Sequence, residues 1–140
     1  MGSEARYWLV KSEPDTYSFD ELVADGGAVW DGVRNNTAAL NLRGMRVGDE
    51  VLFYHSGSGP AVVGLARVTR EAFPDPGDAS GRFVAVEIAP VKPLARPVTL
   101  SEIKARPDLA EMKIVRQSRL SVSPVTPTEW KTILGLGSVG

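Results

Sequence analysis

The sequence predicts one α+β domain, built on a mixed, mostly antiparallel, barrel-like sheet with short helices at its periphery. Three observations indicate this class: a hairpin pattern over residues 51–68, three capping boxes that each begin a short helix, and no alternation of strands with long helices. A doubly wound parallel sheet needs that alternation, so it is not expected. The length of 140 residues suits one domain, and we assign residues 1–140 to it.

The first half of the chain carries a strand, two helices and a hairpin. Residues 7–11 form a strand that ends before Pro14, because proline has no N–H to donate to a sheet. Ser18 and Glu21 form the first capping box. A second helix covers residues 37–45, with Ala38, Leu42 and Met45 as its buried stripe. The hairpin that follows turns through residues 56–60.

The second half carries two further strands and two capped helices. A loop at residues 74–78 leads to a strand over residues 82–89, whose valine and isoleucine residues alternate on one face. A short strand at residues 120–122 is expected to end before Pro124. The two capping boxes are Thr99 with Glu102 and Thr126 with Glu129.

Composition excludes several kinds of chemistry. The content is 43% hydrophobic and 24% charged, which is typical of a globular protein. There is no cysteine and a single histidine, His55, so disulfides, thiol nucleophiles, zinc-thiolate sites and multi-histidine metal sites are excluded. We expect no metal and no cofactor. The sequence has no apolar run long enough to span a bilayer and no signal pattern, so we expect a cytoplasmic monomer without a membrane partner.

The charge distribution leaves two readings open. A net charge of -1 argues against a protein that binds phosphates in bulk. Residues 34–46 and 113–119 nevertheless each hold three basic residues and no acidic one. If these segments meet in the fold, they form a local basic patch, with Arg34, Arg43, Arg116 and Arg119 around one concavity; otherwise they are ordinary solvated faces.

Trp30 is the strongest candidate for recognition from residue type alone. It lies shortly before the second helix, with Arg34 and Asn35 close behind it. An aromatic ring offers a base a stacking face worth about 1–3 kcal/mol, and Asn and Arg side chains can read a base edge. The alternative is that Trp30 belongs to the core. Paired carboxylates, Glu13 with Asp15 or Asp31, are either acid/base groups or turn residues.

Four segments together resemble the EVE domain family in residue type, order and spacing. They are residues 7–14, 29–35, 53–56 and 116–122. The resemblance implies a PUA-like fold similar to YTH domains, and a non-catalytic nucleic-acid-binding domain. Such a domain would flip one modified base, methylated or hydroxymethylated cytosine in DNA or RNA, into an aromatic pocket.

The resemblance also implies roles for individual residues. Trp30 would be the stacking wall, and Lys11, Ser12 and Asn35 would read the base edge. The mouth of the pocket would be lined by Tyr54, His55 and Ser56. The C-terminal side would be closed by Arg119, Leu120 and Ser121. Phosphate contacts would come from Arg34, Arg43 and Arg116.

This chain departs from the family pattern after Asn35. The family commonly runs Asn-Tyr-Gln-Ala-Arg-Asn, whereas residues 35–40 here read Asn-Asn-Thr-Ala-Ala-Leu. A tyrosine, a glutamine and an arginine are therefore missing, so the preferred base is left open. Two alternatives to a reader are an ASCH-like hydrolase that acts on modified nucleosides, with Lys11 and Glu13 as its polar pair, and a small-molecule-binding or protein-binding module.

Overall fold

The computed structural model describes residues 6–138. In chain order its elements are β1 (Tyr7–Ser12), α1 (Phe19–Asp25), β2 (Ala28–Trp30), α2 (Asn36–Gly44), β3 (Glu50–His55), β4 (Ala61–Pro74), β5 (Val84–Thr99), α3 (Leu100–Lys104), a 3-10 turn (Pro107–Leu109), α4 (Lys113–Arg116), β6 (Val122–Val125) and α5 (Pro127–Leu136). Within residues 6–138 no helix has both the length and the apolar character needed to cross a bilayer.

The six strands form one sheet in the order β2-β5-β4-β3-β1-β6. Among the described strands, only β1 and β3 pair in parallel, from Tyr7 opposite Glu50 to Ser12 opposite His55, and the other pairs are antiparallel. The predicted α+β class with a mixed, mostly antiparallel sheet is therefore confirmed. Among the described residues the sheet is open, with β2 at one end and β6 at the other.

The central strands are buried on both faces. Successive side chains of residues 8–10 and of residues 51–54 point alternately into two hydrophobic clusters. The first cluster packs under α1 and α2, and the second packs under α3, α4 and α5. Burial on both sides explains why β1 and β3 read as continuous apolar runs rather than as an alternation of apolar and polar residues.

The helix starts agree with the sequence patterns. At Ser18, Thr99 and Thr126 the side chain accepts from the N–H three residues on, and a glutamate at that position accepts from the cap residue in return. The second helix begins one residue earlier than predicted, because Asn35 is its N-cap. Its predicted buried residues, Ala38, Leu42 and Met45, are all 0% exposed.

Prolines mark the places where the predicted strand limits were wrong. Pro124 lies inside β6, opposite Trp8, rather than after the strand. This position tolerates proline because, within residues 6–138, β6 is an end strand and pairs with β1 alone. β5 continues past residue 89 through three prolines to Thr99, and its register against β4 shifts repeatedly there. Irregular pairing of this kind absorbs the missing N–H groups.

We predict that Gly64→Ala destabilises the fold. A Cβ atom at this position of β4 would lie 2.5 Å from Cε1 and Cζ of the buried Phe19 ring. Overpacking of this kind costs about 1–3 kcal/mol in the free energy of unfolding, which urea denaturation measures. Gly135→Ala in α5 is the matched control, since nothing lies within 4 Å of its Cβ position and alanine favours a helix. If both variants unfold at the parent's urea concentration, Phe19 does not pack against β4 as described.

Candidate functional site

A cleft of about 620 Å³ lies where the end of β1 faces β2. This volume falls within the range of about 300–1,000 Å³ that small-molecule pockets occupy. Three strands separate β1 from β2 in the sheet, so the sheet curls to bring both to one cleft. Five residues predicted for the site line it: Lys11, Ser12, Trp30, Arg34 and Ser121.

Two aromatic rings form a corner of this cleft. Trp30 is half-buried, and it packs edge-on against the buried Phe53 with the ring centroids 5.5 Å apart. Tyr17 also lines the cleft, and its ring meets that of Trp30 at 69° with the centroids 6.4 Å apart. Trp30 thus rests against the core without being enclosed by it. The corner supplies two rings that a planar ligand can contact.

Tyr17 is a lining residue that the sequence did not reveal. The turn after β1 brings it to the cleft, because Ser12 Oγ donates to the Tyr17 carbonyl oxygen and the Tyr17 N–H donates to the Glu13 carbonyl oxygen. The Tyr17 hydroxyl donates to Asp25 Oδ2 at 2.7 Å. Burial and this hydrogen bond raise the pKa of Tyr17 to about 12, so the ring remains a neutral phenol.

The remaining lining is mixed in character. The acidic residues Glu13 and Asp31 line it, together with Thr16 and the apolar residues Ala28 and Val29 of β2. Within residues 6–138, no three His, Cys, Asp or Glu side chains are placed together as ligands of a metal ion would be. The arrangement offers stacking and hydrogen bonding.

Lys11 joins this cleft to the C-terminal part of the chain. Its Nζ donates to the Ser118 carbonyl oxygen, and its backbone N–H donates to the Ser121 carbonyl oxygen at 2.9 Å. Burial lowers the pKa of Lys11. These bonds fix the segment that carries Ser121 against the end of β1, so Ser121 reaches the cleft wall.

A second, smaller depression of about 340 Å³ adjoins the cleft, because residues 35 and 120 are direct neighbours of the lining residues Arg34 and Ser121. Three predicted site residues, Asn35, Arg119 and Leu120, line this depression rather than the cleft. Asn35 Oδ1 accepts from the Ala38 N–H at 3.0 Å as the N-cap of α2. Its amide oxygen is therefore engaged in capping.

Three residues predicted at the mouth, Tyr54, His55 and Ser56, do not line the cleft. Tyr54 is 2% exposed and belongs to the second cluster, because its neighbour Phe53 points to the first cluster and side chains alternate along a strand. Its predicted place at the mouth is wrong. His55 Nε2 accepts from the Phe19 N–H at 3.0 Å, and burial lowers the pKa of this imidazole. Neither His55 nor Ser56 lines the cleft or the adjoining depression.

Arg34 is held by a buried carboxylate. Its Nη1 lies 2.8 Å from Oδ2 of Asp75, whose side chain is 1% exposed. Asp75 also accepts from the N–H groups of Gly32 at 2.8 Å and Gly77 at 2.7 Å. The Arg34 guanidinium, aided by these two N–H groups, lowers the pKa of Asp75. Asp75 thereby ties the cleft wall at residues 32–34 to the loop that follows β4.

The other two arginines predicted as phosphate contacts line neither cavity. Arg43 Nη2 donates to the Arg82 carbonyl oxygen at 2.7 Å, and Arg116 Nη2 donates to Glu111 Oε2 at 2.6 Å. Of the four arginines predicted around one concavity, Arg34 lines the cleft and Arg119 lines the adjoining depression. The two basic segments do meet, since residues 35 and 37 line the depression together with residues 117–119. The four arginines do not gather at one cavity, however, because Arg116 pairs with Glu111 just before α4 and Arg43 donates to Arg82 in the loop between β4 and β5.

We predict that Asp75→Asn lowers stability at neutral pH by roughly 1–3 kcal/mol, the cost of weakening hydrogen bonds to a buried acceptor. The folded-state pKa of Asp75 lies below the unfolded value. Its contribution is therefore complete above about pH 4 and is lost as pH falls through the folded-state pKa. Unfolding free energies measured from pH 7 to pH 2 should show the variant and the parent converging.

Asp108→Asn, which weakens an exposed ion pair with Arg106, is the control and should change stability little. A deficit of Asp75→Asn that does not vary with pH would show that the ionised carboxylate is not what holds this loop.

Comparison with known proteins places these features in a family. The EVE domain family profile matches residues 6–136. Thymocyte nuclear protein 1 of Mus musculus is 32% identical in an alignment of 166 positions, gaps included, which covers 94% of this chain and 74% of that protein. The NMR structure of Rpa0253 from Rhodopseudomonas palustris superposes with a TM-score of 0.92 at 52% identity, covering 96% of this chain and 94% of that one.

A further solved structure contains nucleic acid. The crystal structure of human THYN1 protein in complex with 5-methylcytosine containing DNA matches with a TM-score of 0.89 at 29% identity, covering 95% of this chain and 98% of that one. The family profile, the relatives and the fold agree along almost the whole described chain. The protein belongs to the EVE domain family.

Proposed function

We propose that the protein is a non-catalytic reader that holds one modified base of a nucleic-acid strand in the cleft between Trp30 and Tyr17. The observation that carries this proposal is the aromatic corner, a half-buried Trp30 set at 69° to Tyr17 on a cleft of about 620 Å³. The human relative crystallised with 5-methylcytosine containing DNA supports it. Trp30 and Tyr17 belong to the same chain, so one copy of the protein supplies both aromatic walls of the cleft.

The polar groups around the corner suit a cytosine-like base. Cytosine presents an exocyclic amino group that needs an acceptor, and carbonyl and ring-nitrogen atoms that need donors. The carboxylates of Glu13 and Asp31 can accept, while the Lys11 ammonium and the Ser121 hydroxyl can donate. The C5 methyl group would contact the apolar part of the lining, which β2 supplies through Ala28 and Val29.

The chemistry of the modification limits the selectivity. One methyl group in an apolar pocket is worth about 1–3 kcal/mol, or roughly 10–200-fold in affinity. A hydroxymethyl group would gain more if a lining hydroxyl such as that of Ser121 paired with it. Extrusion of a base from a duplex costs a few kcal/mol, so single-stranded or already open sites should bind more tightly than intact duplex.

One observation favours a second candidate, a hydrolase that acts on modified nucleosides. Lys11 lines the cleft beside Glu13, and burial lowers the pKa of the Lys11 ammonium. A lysine whose pKa is lowered can act as a base or nucleophile. Its Nζ is instead engaged with the Ser118 carbonyl oxygen, an interaction that suits a positioned cation.

We predict that Trp30→Ala weakens binding of a strand with one modified cytosine by about 1–3 kcal/mol, because a stacking face is lost. The fold should lose less than the roughly 3–5 kcal/mol that removal of a fully enclosed tryptophan costs. Titration calorimetry and thermal melting on the same variant measure both quantities. Trp130→Phe is the control, since Trp130 stacks on Tyr7 in the second cluster, and it should bind as the parent does. Parent-like binding by a folded Trp30→Ala variant would remove Trp30 from the site.

We also predict that modified nucleosides incubated with the protein are recovered unchanged, as mass spectrometry of the mixture would show. A reader breaks no covalent bond of its ligand. The amount of product should therefore equal that formed in buffer without the protein. Product that forms with the parent protein and disappears with Lys11→Met would establish the hydrolase and overturn the reader.

A further inference from the structure

Two arginines lie over the Phe83 ring, and a third is hydrogen-bonded to one of them. The Cζ atoms of Arg34 and Arg82 each lie 5.1 Å from the centroid of the Phe83 ring. Arg43 joins them by donating from Nη2 to the Arg82 carbonyl oxygen at 2.7 Å. We call these four residues the Phe83 cluster. Its members come from the segment before α2, the end of α2 and the loop before β5, so no local sequence pattern shows it.

The cluster is hydrogen-bonded to α2 and continuous with the cleft. Arg34 is itself a lining residue of the cleft. Arg82 Nη2 donates to the side-chain oxygen of Asn36, the first residue of α2, at 3.2 Å. Asn36 stands in the segment that departs from the family pattern, where an arginine is missing. Arg82 therefore brings a guanidinium from another loop to that segment of the chain.

The charges in the cluster are not equally available. Arg34 is neutralised by Asp75. Asp78 is a further anion nearby, and its hydrogen bonds from Ser80 and Phe83 lower its pKa to about 2. Arg43 and Arg82 are exposed, and neither forms an ion pair with a carboxylate within residues 6–138. Two cations beside the cleft thus remain available to an anionic ligand.

We propose that Arg43 and Arg82 bind the phosphodiester backbone of the strand whose base occupies the cleft, an inference that rests on the proposed function. A guanidinium presents a planar fork of N–H donors that matches phosphate oxygens. Contact with the Phe83 ring orients the Arg82 guanidinium, and a hydrogen bond to the Arg82 carbonyl oxygen positions that of Arg43. The backbone leaves the cleft past Arg34 and crosses the two exposed guanidinium groups. Phosphates fix the register of the strand here, while the cleft reads the base.

The test uses Arg43→Gln and Arg82→Gln in the full chain. The ligands are 5-methyldeoxycytidine and a single strand of about eight nucleotides that contains one 5-methylcytosine, with the unmodified strand alongside. The dissociation constant for each strand is measured over a series of salt concentrations, and thermal melting confirms that each variant folds. Arg106→Gln is the matched control, because it removes the same charge from an exposed pair with Asp108 beside the second cluster. Arg82→Lys keeps the positive charge but lacks the planar set of N–H donors of a guanidinium.

We expect each glutamine variant to bind both strands more weakly and to lower the slope of log affinity against log salt by about 0.7. Affinity for the nucleoside, which has no phosphate, should stay at the parent value, as should every value for Arg106→Gln. Arg82→Lys should recover the slope and only part of the affinity.

Other outcomes separate this inference from the proposed function. If Trp30→Ala weakens strand binding while Arg43→Gln and Arg82→Gln keep the parent slope, the phosphate contacts are refuted and the base cleft stands. If Arg119→Gln is the one variant that lowers the slope of log affinity against log salt, the phosphate contacts of Arg43 and Arg82 are likewise refuted. The strand would then cross the depression that Arg119 lines. If the glutamine variants lose slope but the protein binds modified and unmodified strands equally, the phosphate contacts stand and base reading fails.

Discussion

Phe53 lies fully buried in β3, and the rings of Phe19, Trp30 and His55 pack edge-on around it at 5.4, 5.5 and 5.7 Å between centroids. Such ring pairs add about 0.5–1.5 kcal/mol each beyond the area they bury. Two strands, β4 and β5, stand between β3 and β2 in the sheet, so the contact with Trp30 requires the sheet to curl. The same curl sets the end of β1 opposite Trp30. The cleft depends on this packing.

Electrostatic interactions divide the surroundings of the cleft into fixed and available groups. The buried carboxylate of Asp75 uses its oxygens on Arg34 and on two backbone N–H groups, so it stabilises the cleft wall. Within the described chain, the exposed guanidinium groups of Arg43 and Arg82 form no ion pair with a carboxylate. A protein with a net charge of -1 can therefore present a local cationic surface beside a cleft.

Features set by neighbouring residues could be predicted from the sequence, and features set by distant contacts could not. The capping boxes and the hairpin depend on residues a few positions apart, and the structure has them as predicted. The family resemblance indicated the segment around Tyr54 as part of the site, but it did not indicate where the Tyr54 side chain points. That side chain enters the second cluster, whereas Phe53 enters the first. Arg34 meets Asp75 across 41 positions, and only the folded chain shows which arginines are already engaged.

The most direct test of the account is a ¹H–¹⁵N correlation spectrum of the labelled protein, titrated with a single strand that contains one 5-methylcytosine. The chain has three tryptophans, and their indole N–H signals are separate probes of the two clusters and of the cleft. We expect the Trp30 indole and the Gly32 amide to shift, while the indoles of Trp8 and Trp130, each 4% exposed, stay in place. Shifts centred on Trp130 with Trp30 unmoved would contradict the account.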